Sequence, residues 1–225
     1  MNKVVVITGG SKGIGKALAV AFIVKGAQVV ISSRSKVELD AAAKEIGATP
    51  FVADVTKSGD VAALAAFTVK TFDRIDIWIN NAGVWMPHSP LQNLDLERVR
   101  QMFDINVFGL MYGTKVALIE MQKQGSGTII NISSTSGLSG KPNSSGYASS
   151  KWAVRGFTDS IREECKGTNI KILTVYPGGT KTNLFDEAPR ADYKDFMTPE
   201  SVAEKIVINL ELPNPEPELI INRPK

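Results

Sequence analysis

Short runs of apolar, β-branched residues alternate along this chain with longer stretches of helical character. Residues 4–7 and 129–132 are almost entirely apolar, which is typical of strands covered on both faces of a sheet. The pattern predicts strands at residues 3–7, 28–32, 49–53, 75–79, 127–132, 170–175 and 219–221. It predicts helices at residues 13–25, 36–46, 58–72, 96–123, 147–166 and 199–209. Such alternation indicates a doubly wound parallel α/β sheet of about seven strands with helices on both faces.

Composition narrows the class of protein without naming an activity. The 225 residues fit one domain, which we place at residues 1–225, and the net charge of +3 gives no indication of a nucleic-acid partner. A single cysteine, Cys165, and a single histidine, His88, leave no disulfide and no histidine-rich metal site. The apolar run at residues 4–7 is too short for a signal or a membrane span. We therefore expect a cytoplasmic protein with no bound metal and no membrane contact.

A glycine-rich turn follows the first predicted strand and leads directly into the first helix. The glycines are Gly9, Gly13 and Gly15, in a Gly-x3-Gly-x-Gly spacing that differs from the common Gly-x-Gly-x-x-Gly fingerprint. Glycine lets the backbone turn tightly and approach a pyrophosphate, while the helix N-terminus offers amide donors. The turn therefore predicts a dinucleotide site and a Rossmann-type sheet.

Further motifs follow in a fixed order along the chain. They are Thr8-Gly9-x3-Gly13-x-Gly15, Asn80-Asn81-Ala82-Gly83, Asn106, Ser134, Tyr147-x3-Lys151, and Pro177-Gly178 followed by Thr182. Together they resemble the short-chain dehydrogenase/reductase family over most of the chain, from residue 8 to residue 182. The resemblance implies an oxidoreductase whose catalytic residues are Asn106, Ser134, Tyr147 and Lys151.

The resemblance also implies where a nicotinamide dinucleotide binds. The cofactor-binding residues would be Gly9, Ser11, Lys12, Gly13, Ile14, Gly15, Ser33, Arg34, Asp54, Val55, Asn80, Ala82, Gly83, Tyr147, Lys151, Pro177, Gly178, Thr180 and Thr182. Some of the predicted site residues also fit roles without a ligand: Asp54 could cap a helix, the catalytic candidate Asn106 could serve packing, and Pro177-Gly178 could form a plain turn.

The end of the second predicted strand bears on the choice between NAD and NADP. An acidic residue there would accept a hydrogen bond from the ribose 2′-hydroxyl, whereas an arginine suits a 2′-phosphate. Positions 31–35 contain Arg34 and no carboxylate, and Lys12 could add a second positive charge. We expect NADP(H), although Arg34 could also be a solvated loop residue.

The Tyr147–Lys151 pair predicts proton transfer to a carbonyl oxygen. Positions i and i+4 share a helix face, so the ammonium lies beside the phenol. We expect the ammonium, helped by the positive nicotinamide ring of the oxidised cofactor, to lower the tyrosine pKa. By resemblance, Ser134 and Tyr147 bind the carbonyl oxygen, Lys151 also holds the nicotinamide ribose, and Asn106 supports a proton relay. Hydride transfer would reduce a ketone or aldehyde to an alcohol, or run in reverse.

The substrate itself is less constrained by the sequence. Our predicted substrate residues are Trp85, Ser136, Leu138 and Leu184, with Met86, Ser144, Gly178 and Phe185 as further lining. Two other functions stay open: reduction of a 3-oxoacyl thioester on acyl-carrier protein or CoA, and cofactor sensing by a non-catalytic regulator. We expect a small-molecule substrate and a homodimer, with a tetramer possible.

Overall fold

Seven parallel strands form one sheet in the computed structural model, which describes residues 3–188 and 191–223. In chain order the strands are Val4–Thr8 (β1), Gln28–Ser33 (β2), Thr49–Val52 (β3), Ile77–Asn80 (β4), Gly127–Ile132 (β5), Ile170–Pro177 (β6) and Glu218–Ile221 (β7). Their order across the sheet is β3-β2-β1-β4-β5-β6-β7, and every neighbouring pair is parallel. The predicted doubly wound α/β sheet is confirmed. The prediction of one domain over residues 1–225 includes six residues outside this description.

Helices cover both faces of the sheet. They are Gly13–Val24 (α1), Lys36–Ile46 (α2), Ser58–Phe72 (α3), Leu96–Phe103 (α4), Gly109–Gln124 (α5), Ser145–Glu164 (α6) and Pro199–Glu211 (α7). Alternate residues of β1 point to opposite faces: Val5 and Ile7 join a core with α1, α2 and α7. Val6 faces a second core with α3, α5 and α6, where Trp78 and Met121 are fully buried. Burial on both faces explains why these strands are apolar throughout.

The predicted helix at residues 96–123 has a feature that the sequence pattern did not indicate. Between α4 and α5 the backbone forms a π-helical segment, Asp104–Phe108, so one wider turn interrupts an otherwise continuous helix. The whole run, Leu96–Gln124, is long and apolar enough to cross a membrane by length and composition alone. Nearly half of its most apolar stretch is buried in the protein, which is typical of a core helix.

The strand order reverses between β1 and β4, and side chains join the carboxyl ends of these two strands. Thr8 Oγ1 accepts hydrogen bonds from the backbone amides of Asn81 and Ala82, each at 3.1 Å. Asn81 Nδ2 in turn donates to the carbonyl oxygens of Thr8 and Gly9, at 2.9 and 3.0 Å. A crevice at such a reversal is where open α/β sheets bind ligands.

Candidate active site

A cavity of about 1170 Å³ opens along the carboxyl ends of the strands. It brings together most of the residues that the sequence predicted to bind a cofactor. Those lining it are Gly9, Ser11, Lys12, Gly13, Ile14, Ser33, Arg34, Asp54, Val55, Ala82, Gly83, Tyr147, Lys151, Pro177, Gly178, Thr180 and Thr182. Of the predicted catalytic residues, Ser134, Tyr147 and Lys151 line it as well.

The first turn after β1 forms a cradle that fits a dinucleotide phosphate. Gly9 and Gly13 have φ angles of +65° and +55°, the left-handed region that favours glycine. A Cβ at Gly9 would lie 2.8 Å from Ala82 Cα, so a side chain would clash with the backbone that follows β4. Within the described chain, α1 has no side-chain N-cap and no acidic residue in its first turn. Its free amides and positive dipole end therefore face the cavity, as an anionic phosphate requires.

Two predicted cofactor residues, Gly15 and Asn80, lie outside the cavity wall. A Cβ at Gly15 would approach the Gly9 carbonyl oxygen to 2.3 Å, so this glycine allows α1 to pack tightly under the turn. Asn80 is buried, and its amide joins Trp78 Nε1, Thr114 Oγ1 and Asn131 Oδ1 at 2.8 to 3.0 Å. Both residues shape the site from behind, and their contact with a cofactor stays a prediction.

The far end of the cavity carries charges of both signs. Arg34 is exposed at the end of β2, and Lys12 lies 3.8 Å from the carboxylate of Glu38, which also lines the cavity. Partial burial acts to raise the pKa of Asp54, but hydrogen bonds from Thr56 and the charge of Arg34 outweigh it and lower the pKa. Glu38 could not be foreseen from the sequence, because its helical position gave no sign that it faces this cavity.

The Ser32 hydroxyl, at the same end of the cavity, is buried without a hydrogen-bond partner in the described part of the protein. Ser32 is fully buried in the cavity wall, and its Oγ makes no hydrogen bond within the described part of the protein. Buried hydroxyls are nearly always paired in folded proteins. Ser32 is therefore an exception to this rule in the wall near Arg34.

Tyr147 lies in the first turn of α6 and is half-buried. Burial raises the pKa of Tyr147 to about 12, and a side-chain hydrogen bond with Ser134 only partly opposes this change. Ser134 Oγ also accepts the Ser136 amide at 3.1 Å, which fixes the turn after β5. In the protein without a cofactor the tyrosine pKa is therefore raised rather than lowered, with burial as the main cause; the lowering expected from Lys151 together with an oxidised cofactor stays a prediction. The phenol therefore stays protonated at neutral pH.

Lys151 lies one helical turn beyond Tyr147 and is 6% exposed. Its Nζ is 5.7 Å from the centre of the Tyr147 ring and donates to the Ile132 carbonyl oxygen at 3.2 Å. Burial lowers the pKa of Lys151 to about 8. Tyr147 and Lys151 thus lie side by side on one face of α6, as predicted. Because its surroundings are desolvated, the charged form of the lysine is disfavoured.

Asn106 occupies the π-helical segment and does not line the cavity. Its side chain accepts the Val84 amide at 2.8 Å and donates to the Val84 carbonyl oxygen at 2.9 Å. Asn106 Nδ2 also lies 3.4 Å from Ser150 Oγ, on α6 next to Lys151. The side chain thus holds the extended segment that follows Gly83 against α6, and only its main chain is left for a proton relay.

The turn after β6 closes the middle of the cavity. Thr180 is buried and donates from Oγ1 to the Gly178 carbonyl oxygen at 3.0 Å. Thr182 Oγ1 accepts a hydrogen bond from the Leu184 amide at 3.3 Å. A Cβ added to Gly13 would lie 3.1 Å from Thr182 Cγ2, so the two residues are close neighbours. The turn therefore crosses over the start of α1, where it can cover a bound dinucleotide.

The remaining end of the cavity has an aromatic wall. Trp85, Ser136, Gly178, Leu184 and Phe185 line the cavity as predicted. The Trp85 and Phe185 rings meet edge-on at 5.1 Å, and Phe185 meets Phe196 at 5.3 Å.

Three of the predicted lining residues lie outside the cavity. Met86 and Ser144 are buried behind its wall, and Leu138 follows the turn Thr135–Gly137 away from it. The cavity is also lined by residues that were not predicted to line it. They include Ser32, Ala53, Asn81, Val84, Ser133, Lys141, Glu187, Phe196, Asn222 and Arg223.

No metal centre is evident in residues 3–188 and 191–223. They hold no group of three or more histidine, cysteine, aspartate or glutamate side chains that could hold a metal ion. Cys165, within the same ranges, is buried and unpaired, and its pKa is raised by burial and by Glu164.

Comparison with known proteins connects this geometry to a family. The family model described as short chain dehydrogenase matches residues 3–192. The uncharacterized oxidoreductase Lmo0432 of Listeria monocytogenes is 35% identical over 228 positions, covering 94% of this chain and 92% of that protein. An alcohol dehydrogenase from the archaeon Thermococcus sibiricus, complexed with 5-hydroxy-NADP, has a TM-score of 0.89 at 28% identity, covering 100% of both chains. A 3-ketoacyl-(acyl-carrier-protein) reductase from Brucella melitensis, complexed with NADH, has a TM-score of 0.90 at 26% identity, covering 97% and 96%.

The buried Lys151 should lower the free energy of unfolding at neutral pH. Its pKa is about 8 in the folded protein against an ordinary 10.5, so between these values only the unfolded chain holds the proton. The free energy of unfolding therefore rises with pH across this window, and below pH 8 the full cost applies. We expect Lys151→Met to raise the free energy of unfolding by about 1–3 kcal/mol at pH 7, measured by urea denaturation.

The gain should shrink as the pH approaches 10.5, and the exposed Lys171→Met should change stability little at any pH. A Lys151→Met variant that is less stable than the parent at pH 7 would contradict a net cost of burying this lysine.

Proposed function

The chain belongs to the short-chain dehydrogenase/reductase family, and from this premise we propose an NADPH-dependent oxidoreductase that reduces a ketone or aldehyde to an alcohol. One observation carries the proposal: a protonated Tyr147, hydrogen-bonded with Ser134 and adjacent to Lys151, shares a cavity with the uncapped N-terminus of α1. A proton donor and a phosphate cradle in one crevice suit reduction by a dinucleotide.

The chain's own residues would divide the work of the reaction. Gly9, Gly13 and the first amides of α1 would bind the pyrophosphate, and bound NADPH supplies the hydride. Ser134 and Tyr147 would hold the carbonyl oxygen, and the Tyr147 phenol would give that oxygen its proton. Lys151 would stabilise the phenolate left behind, because a nearby positive charge favours the ionised form.

The phenol of Tyr147 is in the form that an acid catalyst needs. Burial raises its pKa to about 12 in the protein without a cofactor, so it is protonated throughout the physiological range. An ordinary tyrosine is also protonated at neutral pH. The direction that we propose, reduction, therefore rests on the cations Arg34 and Lys12 at the cavity, which suit NADPH.

The preference for NADP(H) rests on the charges at the β2 end of the cavity. Arg34 and Lys12 can face a 2′-phosphate, and residues 31–35 contain no carboxylate that would repel it. Glu38 opposes them, because it lies 3.8 Å from Lys12 and lines the same wall. We propose that Arg34 is the principal contact and that Glu38 keeps the preference moderate.

The aromatic wall suggests the class of carbonyl compound. Trp85, Phe185 and Phe196 present rings to the cavity, and Leu184 adds an aliphatic surface. The carboxylate of Glu187 at this end is paired with Arg98 at 2.7 Å. We therefore propose an uncharged substrate with a flat apolar body, which rings can contact at little desolvation cost.

Reduction of a 3-oxoacyl thioester is the second candidate, because a solved structure with the same fold is a reductase of that kind. Lys141 is exposed at the cavity, where it could contribute to binding an acidic carrier. A panel of ketones and aldehydes, assayed beside a 3-oxoacyl thioester, separates the two. A purely cofactor-sensing role would require no turnover with any of them. A cytoplasmic location and a homodimer remain part of the proposal.

Tyr147→Phe tests the proton donor. We expect a loss of roughly 10²–10⁴ in kcat, the usual worth of general acid catalysis, with the Kd for NADPH nearly unchanged. The control is Tyr112→Phe, the same change on α5 away from the cavity. Near-normal turnover by Tyr147→Phe would rule out the assigned donor.

Arg34→Ala tests the cofactor preference. Loss of a charge-assisted contact of about 1.5–3 kcal/mol should weaken NADPH binding by one to two orders of magnitude and leave NADH nearly unaffected. Glu38→Gln should shift the ratio the other way, because it removes the opposing charge. Titration calorimetry with both cofactors measures this, and an equal loss for NADPH and NADH would refute the 2′-phosphate role.

Phe185→Ala tests the substrate class. We expect KM for a phenyl methyl ketone to rise about tenfold, as loss of a ring contact of about 1 kcal/mol or more predicts. KM for a small aliphatic methyl ketone should change little, and this substrate serves as the internal control. Equal changes in both KM values would mean that the wall does not select aromatic substrates.

A further inference from the structure

The last residues of β7 reach the cavity from the edge of the sheet. Ile221 pairs with Pro177, and its carbonyl oxygen accepts the Gly178 amide at 2.9 Å. Asn222 and Arg223 follow directly and line the cavity. The C-terminal segment therefore borders the turn at residues 177–182, which we call the nicotinamide loop.

Arg223 joins this border to a second segment, residues 183–188 and 191–198, which we call the substrate loop. Its guanidinium carbon lies 4.3 Å from the centre of the Phe196 ring, a close cation–π contact. Its Nη1 donates to Asp192 Oδ2 at 2.7 Å, with both side chains about one-third exposed. Two contacts of different kinds thus fix one side chain against the substrate loop.

The nicotinamide loop leaves room for this arrangement at Gly179. A Cβ there would lie 2.8 Å from the Phe196 ring and 2.9 Å from Arg223 Nη2, so any side chain would displace one of them. The two loops also exchange backbone hydrogen bonds, from Met197 to the Gly179 carbonyl oxygen and from Lys181 to the Met197 carbonyl oxygen. Arg223 lies where the nicotinamide loop, the substrate loop and β7 meet.

Aromatic contacts extend from Arg223 toward the substrate end of the cavity. Phe196, under the guanidinium, meets Phe185 at 5.3 Å, and Phe185 meets Trp85 at 5.1 Å. Phe196 is buried, while Phe185 and Trp85 are half-buried, and the contacts between the rings couple their positions. Movement of Phe196 would therefore displace Phe185, which we propose contacts the substrate.

We propose that Arg223 is a positioning residue that clamps the substrate loop onto the nicotinamide loop and so determines how tightly the substrate is held. This rests on the proposed reductase function for its kinetic consequence. The clamp itself is a property of the protein without any ligand. It gives Arg223 a role in the site through the two loops that it holds together.

Hydrogen exchange and kinetics on Arg223→Ala test the clamp. Without added ligand, the amides of Lys181 and Met197 should exchange faster, while amides of β1 and β4 keep the parent rate. With NADPH and a ketone substrate, KM for the ketone should rise about 3- to 30-fold, as loss of a partly buried cation–π contact predicts, and kcat should change less. Arg223→Lys keeps the charge but not the planar stack, and it should fall between parent and Arg223→Ala.

Unchanged exchange at Lys181 and Met197 would overturn the clamp, as would faster exchange throughout the sheet, which would indicate general destabilisation. A large decrease in kcat for Arg223→Ala with an unchanged KM would also overturn it. If the parent reduces no carbonyl compound, the proposed function fails, while the exchange result still decides whether the clamp exists.

Discussion

The hydroxyl of Thr8 joins the carboxyl ends of β1 and β4, the two strands between which the strand order reverses. The site depends on this junction. Thr8 Oγ1 accepts the amides of Asn81 and Ala82, while the Asn81 side chain holds the carbonyl oxygens of Thr8 and Gly9. These bonds fix the glycine turn on one side of the crevice and the segment from Asn81 to Trp85 on the other. The cofactor cradle and the substrate wall are therefore positioned by the same few hydrogen bonds.

The wall of the cavity formed by α6 destabilises the folded protein rather than stabilising it. Tyr147 and Lys151 project from one face of α6 into a desolvated region, where burial raises the pKa of the phenol and lowers that of the ammonium. Each change disfavours a charged form, so the pair is neutral or singly charged until a reaction creates a phenolate. A site that costs stability at rest but fits the charge of the reaction is typical of enzymes.

Much of this architecture could be predicted from the sequence because it depends on local spacing. Apolar runs gave the strands, and the four-residue interval between Tyr147 and Lys151 gave their common face. The π-helical segment could not be predicted in this way, since one wider turn barely alters an apolar pattern. Asn80 looked like a ligand contact in sequence, but its amide is occupied in a buried network. Arg223 and Glu38 were missed because only tertiary folding brings them to the cavity.

The central claim is that one cavity combines hydride delivery with a proton from Tyr147. Its most direct measurement uses NADPH carrying deuterium at the transferable position, incubated with an aromatic ketone and analysed by mass spectrometry of the alcohol. The account predicts one deuterium on the carbinol carbon of the product with the parent protein, and almost no labelled alcohol with Tyr147→Phe although NADPH still binds. Labelled product formed equally by both proteins, or bound NADPH with no labelled product from the parent for any carbonyl compound, would contradict it.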